Sequence, residues 1–192
     1  NSHIHLEFSG NTTTLKYGNF YSWLNSVIKH REDLISKANT KLILSKLSKM
    51  KRTGTTTIGA ISSYSFDLDA CVKSPLNKVF FCEVIGTKGD MIDTLFADFK
   101  DRLNIAKKYK SANFIPAIAI HSPYSVHPFL VRETLKLARE ENLPVTSHFL
   151  ESREEFEWLH KDEGAFVEFF KNFLGQEQSV TKPMEFLNLF SN

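Results

Sequence analysis

Two nearly continuous apolar runs, at residues 78–85 and 114–121, constrain the fold of this chain more than any other feature. A strand covered on one face alternates apolar and polar residues, whereas a strand covered on both faces is apolar almost throughout. An amphipathic helical pattern lies between the two runs, over residues 90–110, and no hairpin signal accompanies them. Parallel strands need a crossover of this kind, so the runs predict neighbouring strands of a parallel sheet with helices on its faces.

The same alternation of strands and helices extends through the rest of the chain. Apolar residues at helical spacing predict further helices at residues 20–38, 42–50, 66–72, 126–141, 155–160, 166–174 and 184–190. β-Prone segments predict further strands near residues 3–6, 55–61 and 144–151. No sixth strand is evident in the pattern. The predicted fold class is therefore α/β, with about five parallel strands and covering helices.

Composition limits the kinds of partner that the chain is expected to have. Of its 192 residues, 24 are Lys or Arg and 22 are Asp or Glu, which gives a net charge of +2. Such a balance lacks the basic surplus that attracts nucleic acid or anionic membranes, so neither partner is predicted. The length fits a single domain over residues 1–192.

Cysteine usage and the ends of the chain suggest a compartment and an origin. Cys71 and Cys82 form neither a close metal-binding pair nor a disulfide framework, so we predict a reducing, cytoplasmic location. No apolar run has the length of a membrane span, and the first residues do not resemble a signal peptide. Because the chain does not begin with methionine, we expect a processed product or a piece of a longer protein.

Histidines fall where predicted strands end. His148 closes the strand at residues 144–151, with Glu151 just beyond it, and His121 closes the strand at 114–121. His3 and His5 are two residues apart, so on a strand they point to the same face. Each signal alone has an ordinary alternative, such as an exposed histidine pair or a solvated glutamate at a strand end. Glu83 interrupts an apolar run; a lysine or solvent partner is expected for it, with substrate contact as the alternative.

Taken together, these positions predict a metal site. A parallel barrel of about eight strands brings residues from distant strand ends to one face, as a site of three histidines requires. Four unrelated core histidines at the ends of three predicted strands would be a much less economical explanation.

Four segments also resemble the amidohydrolase superfamily, in that family's order and approximate spacing: residues 1–9 (NSHIHLEFS), 54–57 (GTTT), 121–125 (HSPYS) and 148–151 (HFLE). More narrowly, they are similar to the branch that contains chlorohydrolases, guanine deaminase and adenosine-type deaminases. Within that branch the sequence most resembles the aminodeoxyfutalosine deaminases of menaquinone biosynthesis.

The resemblance implies a fold and a set of site residues. The fold would be a partial TIM (β/α)8 barrel comprising about its first five strands. His3, His5 and His148 would be metal ligands, Glu151 the proton-shuttling acid and base, and His121, Tyr124 and Ser125 substrate-binding residues. The implied cofactor is Zn²⁺ or Fe²⁺, one ion per complete active site, and the implied substrate is a small purine-like molecule that undergoes hydrolytic deamination.

The chain also departs from the family pattern. It ends before a sixth-strand histidine and an eighth-strand aspartate ligand, so we expect an inactive fragment that could lack the metal. Unpaired strand edges and a missing carboxyl-terminal half predict self-association. Two alternatives remain at this point: another hydrolytic amidohydrolase, of the chlorohydrolase or guanine deaminase type, or a non-catalytic domain that keeps the fold for binding or assembly.

Overall fold

A four-stranded parallel sheet with helices packed against it forms the centre of the protein. The structure, a computed structural model, describes residues 1–191. The strands are hydrogen-bonded in the order β1, β2, β3, β4, and their bounds are Thr57–Ser62, Asn77–Val84, Phe114–Ile120 and Val145–Ser147. The helices α1 to α8 are Phe20–Lys37, Thr40–Arg52, Leu68–Lys73, Ile92–Lys107, Pro128–Glu140, Arg153–Lys161, Ala165–Leu174 and Pro183–Ser191.

The two apolar runs form the central strands, as predicted. In β2, Phe80 pairs with Ala60 of β1 on one side and with Pro116 of β3 on the other. Phe80 and Ile118 are fully buried, because they lie on the face of the sheet against which the helices pack. The opposite face is only partly covered, since Val79 and Phe81 are half-buried and Ile115 is 42% exposed. The predicted parallel α/β arrangement is confirmed.

The predicted first strand is present only as a single bridge. Ile4 pairs in parallel with Ala60, its N–H donates to the Gly59 carbonyl at 2.9 Å, and its carbonyl accepts from Ile61 N–H at 2.9 Å. A short 3₁₀ turn, Leu6–Phe8, follows immediately and stops the pairing. We call residues 1–5 the amino-terminal arm. Within residues 1–191 there are thus four regular strands and one bridged arm, where about five strands were expected.

The sheet is strongly curled. The arm lies beside β1 at one edge of the sheet, whereas β4 forms the other edge. Four strand spacings would separate these edges by about 19 Å in a flat sheet. The rings of His3, on the arm, and His148, just after β4, nevertheless have centroids only 4.7 Å apart. The strands therefore follow the wall of a half-barrel and turn their carboxyl ends toward a common point.

Two apolar clusters stabilise this curvature. The main cluster packs residues of α2, α4 and α5 against the sheet, including Leu47, Phe99 and Leu135. The second joins α6 and α7 to the turn after β3 and includes Trp158, Phe166 and Tyr124. Across residues 1–191, no helix combines the length and the apolar character that crossing a membrane requires.

Candidate functional site

The structure brings together four histidines from three segments at the carboxyl ends of the strands. The ring centroids of His3 and His5 are 5.1 Å apart, those of His3 and His148 4.7 Å, and those of His121 and His148 5.5 Å. His148 is aligned with His121 because its backbone N–H donates to the His121 carbonyl at 2.8 Å. The convergence predicted from the strand ends is therefore present.

The His3 and His5 side chains face each other with a separation suited to a shared ligand. Their Nε2 atoms are 3.2 Å apart, and two nitrogens on a tetrahedral zinc ion would be separated by about 3.3 Å. Burial lowers the pKa of His3 and lowers that of His5 to about 4. Both rings are therefore neutral near pH 7, and neutral imidazole is the form that binds metal.

The fit to a metal is nevertheless partial. Over residues 1–191, no group of three or more His, Cys, Asp or Glu side chains is arranged so that it could hold an ion. His3 and His5 match two ligand positions, and His148 lies against His3 without completing the set. The donor chemistry suits zinc, since imidazole nitrogens are among its preferred ligands.

His121 is held in place by serines of the turn that follows β3. Its Nδ1 atom is hydrogen-bonded to Ser125 Oγ at 2.6 Å and to Ser122 Oγ at 3.0 Å. Burial, reinforced by the nearby His148, lowers the pKa of His121 to about 4. The ring is therefore a neutral hydrogen-bonding group, and its Nδ1 side is occupied by the two hydroxyl groups.

Glu151 lies between a tyrosine and a histidine of the site. The Tyr124 hydroxyl donates to Glu151 Oε1 at 3.3 Å, and Glu151 Oε2 is 3.7 Å from His148 Nδ1. Leu150 adopts a left-handed conformation with φ of 51°, which turns the chain sharply between the two site residues. Behind this turn, Glu155 Oε2 accepts a hydrogen bond from the Glu151 N–H at 2.7 Å.

A small cavity of about 50 Å³ opens among these side chains. Its lining includes His3, His121 and His148, together with Glu83 at the end of β2. Glu83 is only 4% exposed and accepts a hydrogen bond from the Ser63 hydroxyl. The expectation of a lysine or solvent partner for Glu83 is therefore wrong. The available signal was a glutamate that interrupts an otherwise apolar strand.

All seven predicted site residues thus lie around one region, although their roles stay predictions. Ring contacts and hydrogen bonds connect the members of this set, which comprises His3, His5, His121, Tyr124, Ser125, His148 and Glu151.

Known proteins are similar to this chain in both sequence and architecture. Residues 1–182 match the Amidohydrolase family. Aminodeoxyfutalosine deaminase of a Nitratiruptor species is 48% identical over 190 residues, which are 99% of this chain and 47% of that protein. The crystal structure of Helicobacter pylori aminofutalosine deaminase in complex with methylthio-coformycin superposes with a TM-score of 0.90 at 28% identity, covering 99% of this chain and 47% of the other.

A more distant structure has the same fold. An adenosine deaminase from Xanthomonas campestris, solved with bound zinc, superposes with a TM-score of 0.68 at 16% identity, covering 98% of this chain and 40% of that chain. These superpositions confirm the predicted partial (β/α)8 barrel. The chain spans about half the length of the relatives that it matches. The match over residues 1–182 shows that this chain belongs to the amidohydrolase family.

Proposed function

We propose that this chain supplies part of the active site of a metal-dependent hydrolytic deaminase. The substrate would be an adenine-type nucleoside of the aminodeoxyfutalosine kind, and the pathway would be menaquinone biosynthesis. The observation that carries this proposal is the convergence of His3, His5 and His148 beside Glu151. The 48% identity to an aminodeoxyfutalosine deaminase supports the choice of substrate.

The metal would be held by His3, His5 and His148, with Zn²⁺ preferred and Fe²⁺ as the alternative. The pair of Nε2 atoms 3.2 Å apart supports two of these ligand positions. A bound Zn²⁺ ion would supply acidity, since it lowers the pKa of a coordinated water molecule toward neutrality. Ligands from the remaining half of the barrel would complete the site in the longer protein.

Glu151 would move the proton. Water adds to the ring carbon that carries the amino group, Glu151 accepts the proton that this water loses, and the carboxyl group then donates it to the departing amine. Ammonia leaves and a ring carbonyl remains. The Tyr124 hydroxyl, which donates to Glu151 Oε1, keeps one carboxylate oxygen oriented while the other faces His148.

His121, Tyr124 and Ser125 would form the substrate side of the site. Ser125 and Ser122 both bond His121 Nδ1, so the opposite ring nitrogen would be the atom available to the substrate. Because the pKa of His121 is lowered to about 4, this nitrogen would act as a neutral hydrogen-bonding partner near pH 7.

Metal content tests the ligand assignment. Elemental analysis of the purified 192-residue chain would be compared with a His148→Ala variant, and with a His160→Ala variant as the matched control. His160 is exposed on α6 and bonds only the Phe156 carbonyl among the described hydrogen bonds. Zinc or iron lost in His148→Ala and retained in His160→Ala is expected. Equal metal content in both variants would contradict the assignment.

Activity is tested in the longer protein that contains the whole barrel. We expect Glu151→Gln to abolish ammonia release from the nucleoside while the metal stays bound; full activity in this variant would overturn the proposed role. A panel of amino- and chloro-substituted ring substrates separates deamination from the alternative of dechlorination, and guanine in the same panel tests a guanine deaminase.

A further inference from the structure

The amino-terminal arm is attached to β1 by four hydrogen bonds between main-chain atoms. Ile4 donates to Gly59 and accepts from Ile61, each at 2.9 Å, and Gly59 N–H donates to the Asn1 carbonyl at 2.8 Å. The Asn1 amino group donates to the Thr57 carbonyl at 3.0 Å. A regular strand would add further bonds, but the chain turns into the 3₁₀ turn Leu6–Phe8 directly after His5. The pairing is therefore short and lies at the end of the chain, where fraying begins, and the arm carries two of the four site histidines.

Glu7 provides a second attachment for the same segment. Its side chain is fully buried, and its carboxylate accepts from two backbone amides of the loop after β1. Ser63 N–H donates to Oε2 at 2.9 Å, and Tyr64 N–H donates to Oε1 at 2.7 Å. Bonds from backbone N–H groups to a carboxylate are strong and directional. The turn carrying Glu7 is therefore tied to a loop that lies more than fifty positions away in the sequence.

The loop that receives Glu7 is itself ordered by neighbouring side chains. The buried Ser62 hydroxyl donates to Asp67 Oδ1 at 2.6 Å and accepts from Ser65 N–H at 3.1 Å. Ser62 Oγ is also 3.5 Å from Glu7 Oε1. The loop is therefore bonded internally as well as to Glu7, and these bonds together hold its two amide groups facing the carboxylate.

The partners of Glu7 also indicate what the carboxylate does. Among residues 1–191, none of the ion pairs involves Glu7. Burying a carboxylate without a cation is costly, and core stability alone would be better served by an apolar side chain. What the carboxylate adds is geometry, since two amides fix its position and thereby the position of His5, two residues earlier.

We propose that Glu7 is a positioning residue: its carboxylate docks the Leu6–Phe8 turn onto the loop after β1 and so fixes His3 and His5 where they face His148. The link to metal binding rests on the proposed function. The docking itself does not, so the two are tested separately.

Amide hydrogen exchange tests the docking without any metal. The protein would be the 192-residue chain, with Glu7→Ala to remove both acceptors and Glu7→Gln to keep one carbonyl acceptor. Glu155→Gln is the matched control, since Glu155 is also a fully buried glutamate that accepts from a backbone amide, at the other edge of the sheet. The amides of Ile4 and Ile61 report on the arm, and those of Phe80 and Cys82 in β2 report on the core.

Local loosening is the expected result. Glu7→Ala should speed exchange at Ile4 and Ile61 by about tenfold or more, because charge-assisted hydrogen bonds are lost, while Phe80 and Cys82 change little. Glu7→Gln should lie between Glu7→Ala and the unmodified chain, and Glu155→Gln should leave the arm unaffected. Equal acceleration in the arm and in β2, or no acceleration in the arm, would overturn the positioning role. If Glu7→Ala fails to fold, Glu7→Gln supplies the same comparison.

Cobalt binding then tests the connection to the proposed function. Co²⁺ would be titrated into the same proteins, and its visible absorption would be recorded because that spectrum depends on coordination geometry. We expect Glu7→Gln to weaken Co²⁺ binding by about tenfold and to alter the spectrum. An unmodified chain that does not bind Co²⁺ would count against the proposed metal site while leaving the exchange result in place. Unchanged cobalt affinity in a variant with a loosened arm would show that docking does not control the site.

Discussion

Gly59→Ala should displace the amino-terminal arm with its two histidines. Gly59 lies in β1, the strand beside the arm. A Cβ atom added at Gly59 would be 2.1 Å from the Ser2 carbonyl oxygen and 2.8 Å from the Ser2 carbonyl carbon. An ordinary contact between carbon and a carbonyl oxygen is about 3.3 Å. The arm must therefore move away by about 1 Å, because both colliding atoms belong to the backbone and have no alternative rotamer.

This movement would affect the site more than the core. Gly59 also exchanges hydrogen bonds with Asn1 and Ile4, at 2.8 and 2.9 Å, so a shift of this size stretches both bonds. Losing them would cost about 1 kcal/mol each. Metal ligands must lie within about 0.2 Å of their usual distances, so a shift of about 1 Å takes His3 and His5 out of reach of a shared ion. We therefore expect modest destabilisation together with strongly reduced metal binding.

The matched control is Gly89→Ala. A Cβ atom at Gly89 would meet no heavy atom within 4 Å, and the residue does not have a positive φ. Urea unfolding would be measured beside Co²⁺ titration and amide exchange at Ile4. Gly59→Ala should lose cobalt affinity and protection at Ile4, whereas Gly89→Ala should resemble the unmodified chain. Normal protection at Ile4 in Gly59→Ala would refute the predicted clash.

Three further results are expected. Burial, and then the charge of Glu7, raises the pKa of Asp67 to about 7 from 3.8, so the native state holds a proton that the unfolded chain releases, and the stability that Asp67 contributes should be lost as pH rises between these values. Asp67→Asn should flatten that dependence in urea titrations, by at most about 4 kcal/mol; an unchanged slope would contradict the assignment. The folded-state pKa of His121 is lowered to about 4, so the stability that His121 contributes should be lost as pH drops below 6.5, opposite in sign to Asp67, and an NMR titration of the ring should have its midpoint near 4 rather than 6.5. In light scattering, the chain should associate as its concentration rises. Met184→Glu and Leu187→Glu should weaken this association, since the two side chains are 65% and 38% exposed on α8. A monomer at all concentrations would contradict this prediction.

The central strands could be predicted almost to the residue. The runs at 78–85 and 114–121 correspond to the strands Asn77–Val84 and Phe114–Ile120, because a short and nearly continuous apolar run is a pattern that local sequence carries by itself. The histidines at strand ends were found for a related reason. Once the strands are parallel, topology brings their carboxyl ends to one side.

The arm and the buried glutamates could not be predicted in the same way. The pattern at residues 3–6 indicates a strand, but the Glu7 contacts end the pairing in a 3₁₀ turn. Nothing in the pattern at residues 3–6 indicates that Glu7, which follows it, is fully buried. Glu83 likewise accepts a hydrogen bond from Ser63, which lies twenty positions away in the sequence. Such contacts depend on tertiary proximity, which spacing along the chain does not reveal.

The candidate site therefore depends on two edges of one sheet that the curl brings together. His3 and His5 come from the arm edge, whereas His148 and Glu151 follow β4 at the opposite edge. Each edge has a buried glutamate whose carboxylate accepts hydrogen bonds from backbone N–H groups. Glu7 accepts two from the loop after β1, and Glu155 accepts one from Glu151. Because the two glutamates share no described hydrogen-bond partner, their effects on stability should add within about 0.5 kcal/mol. A clear departure from additivity in Glu7→Gln combined with Glu155→Gln would mean that the curl itself couples the edges.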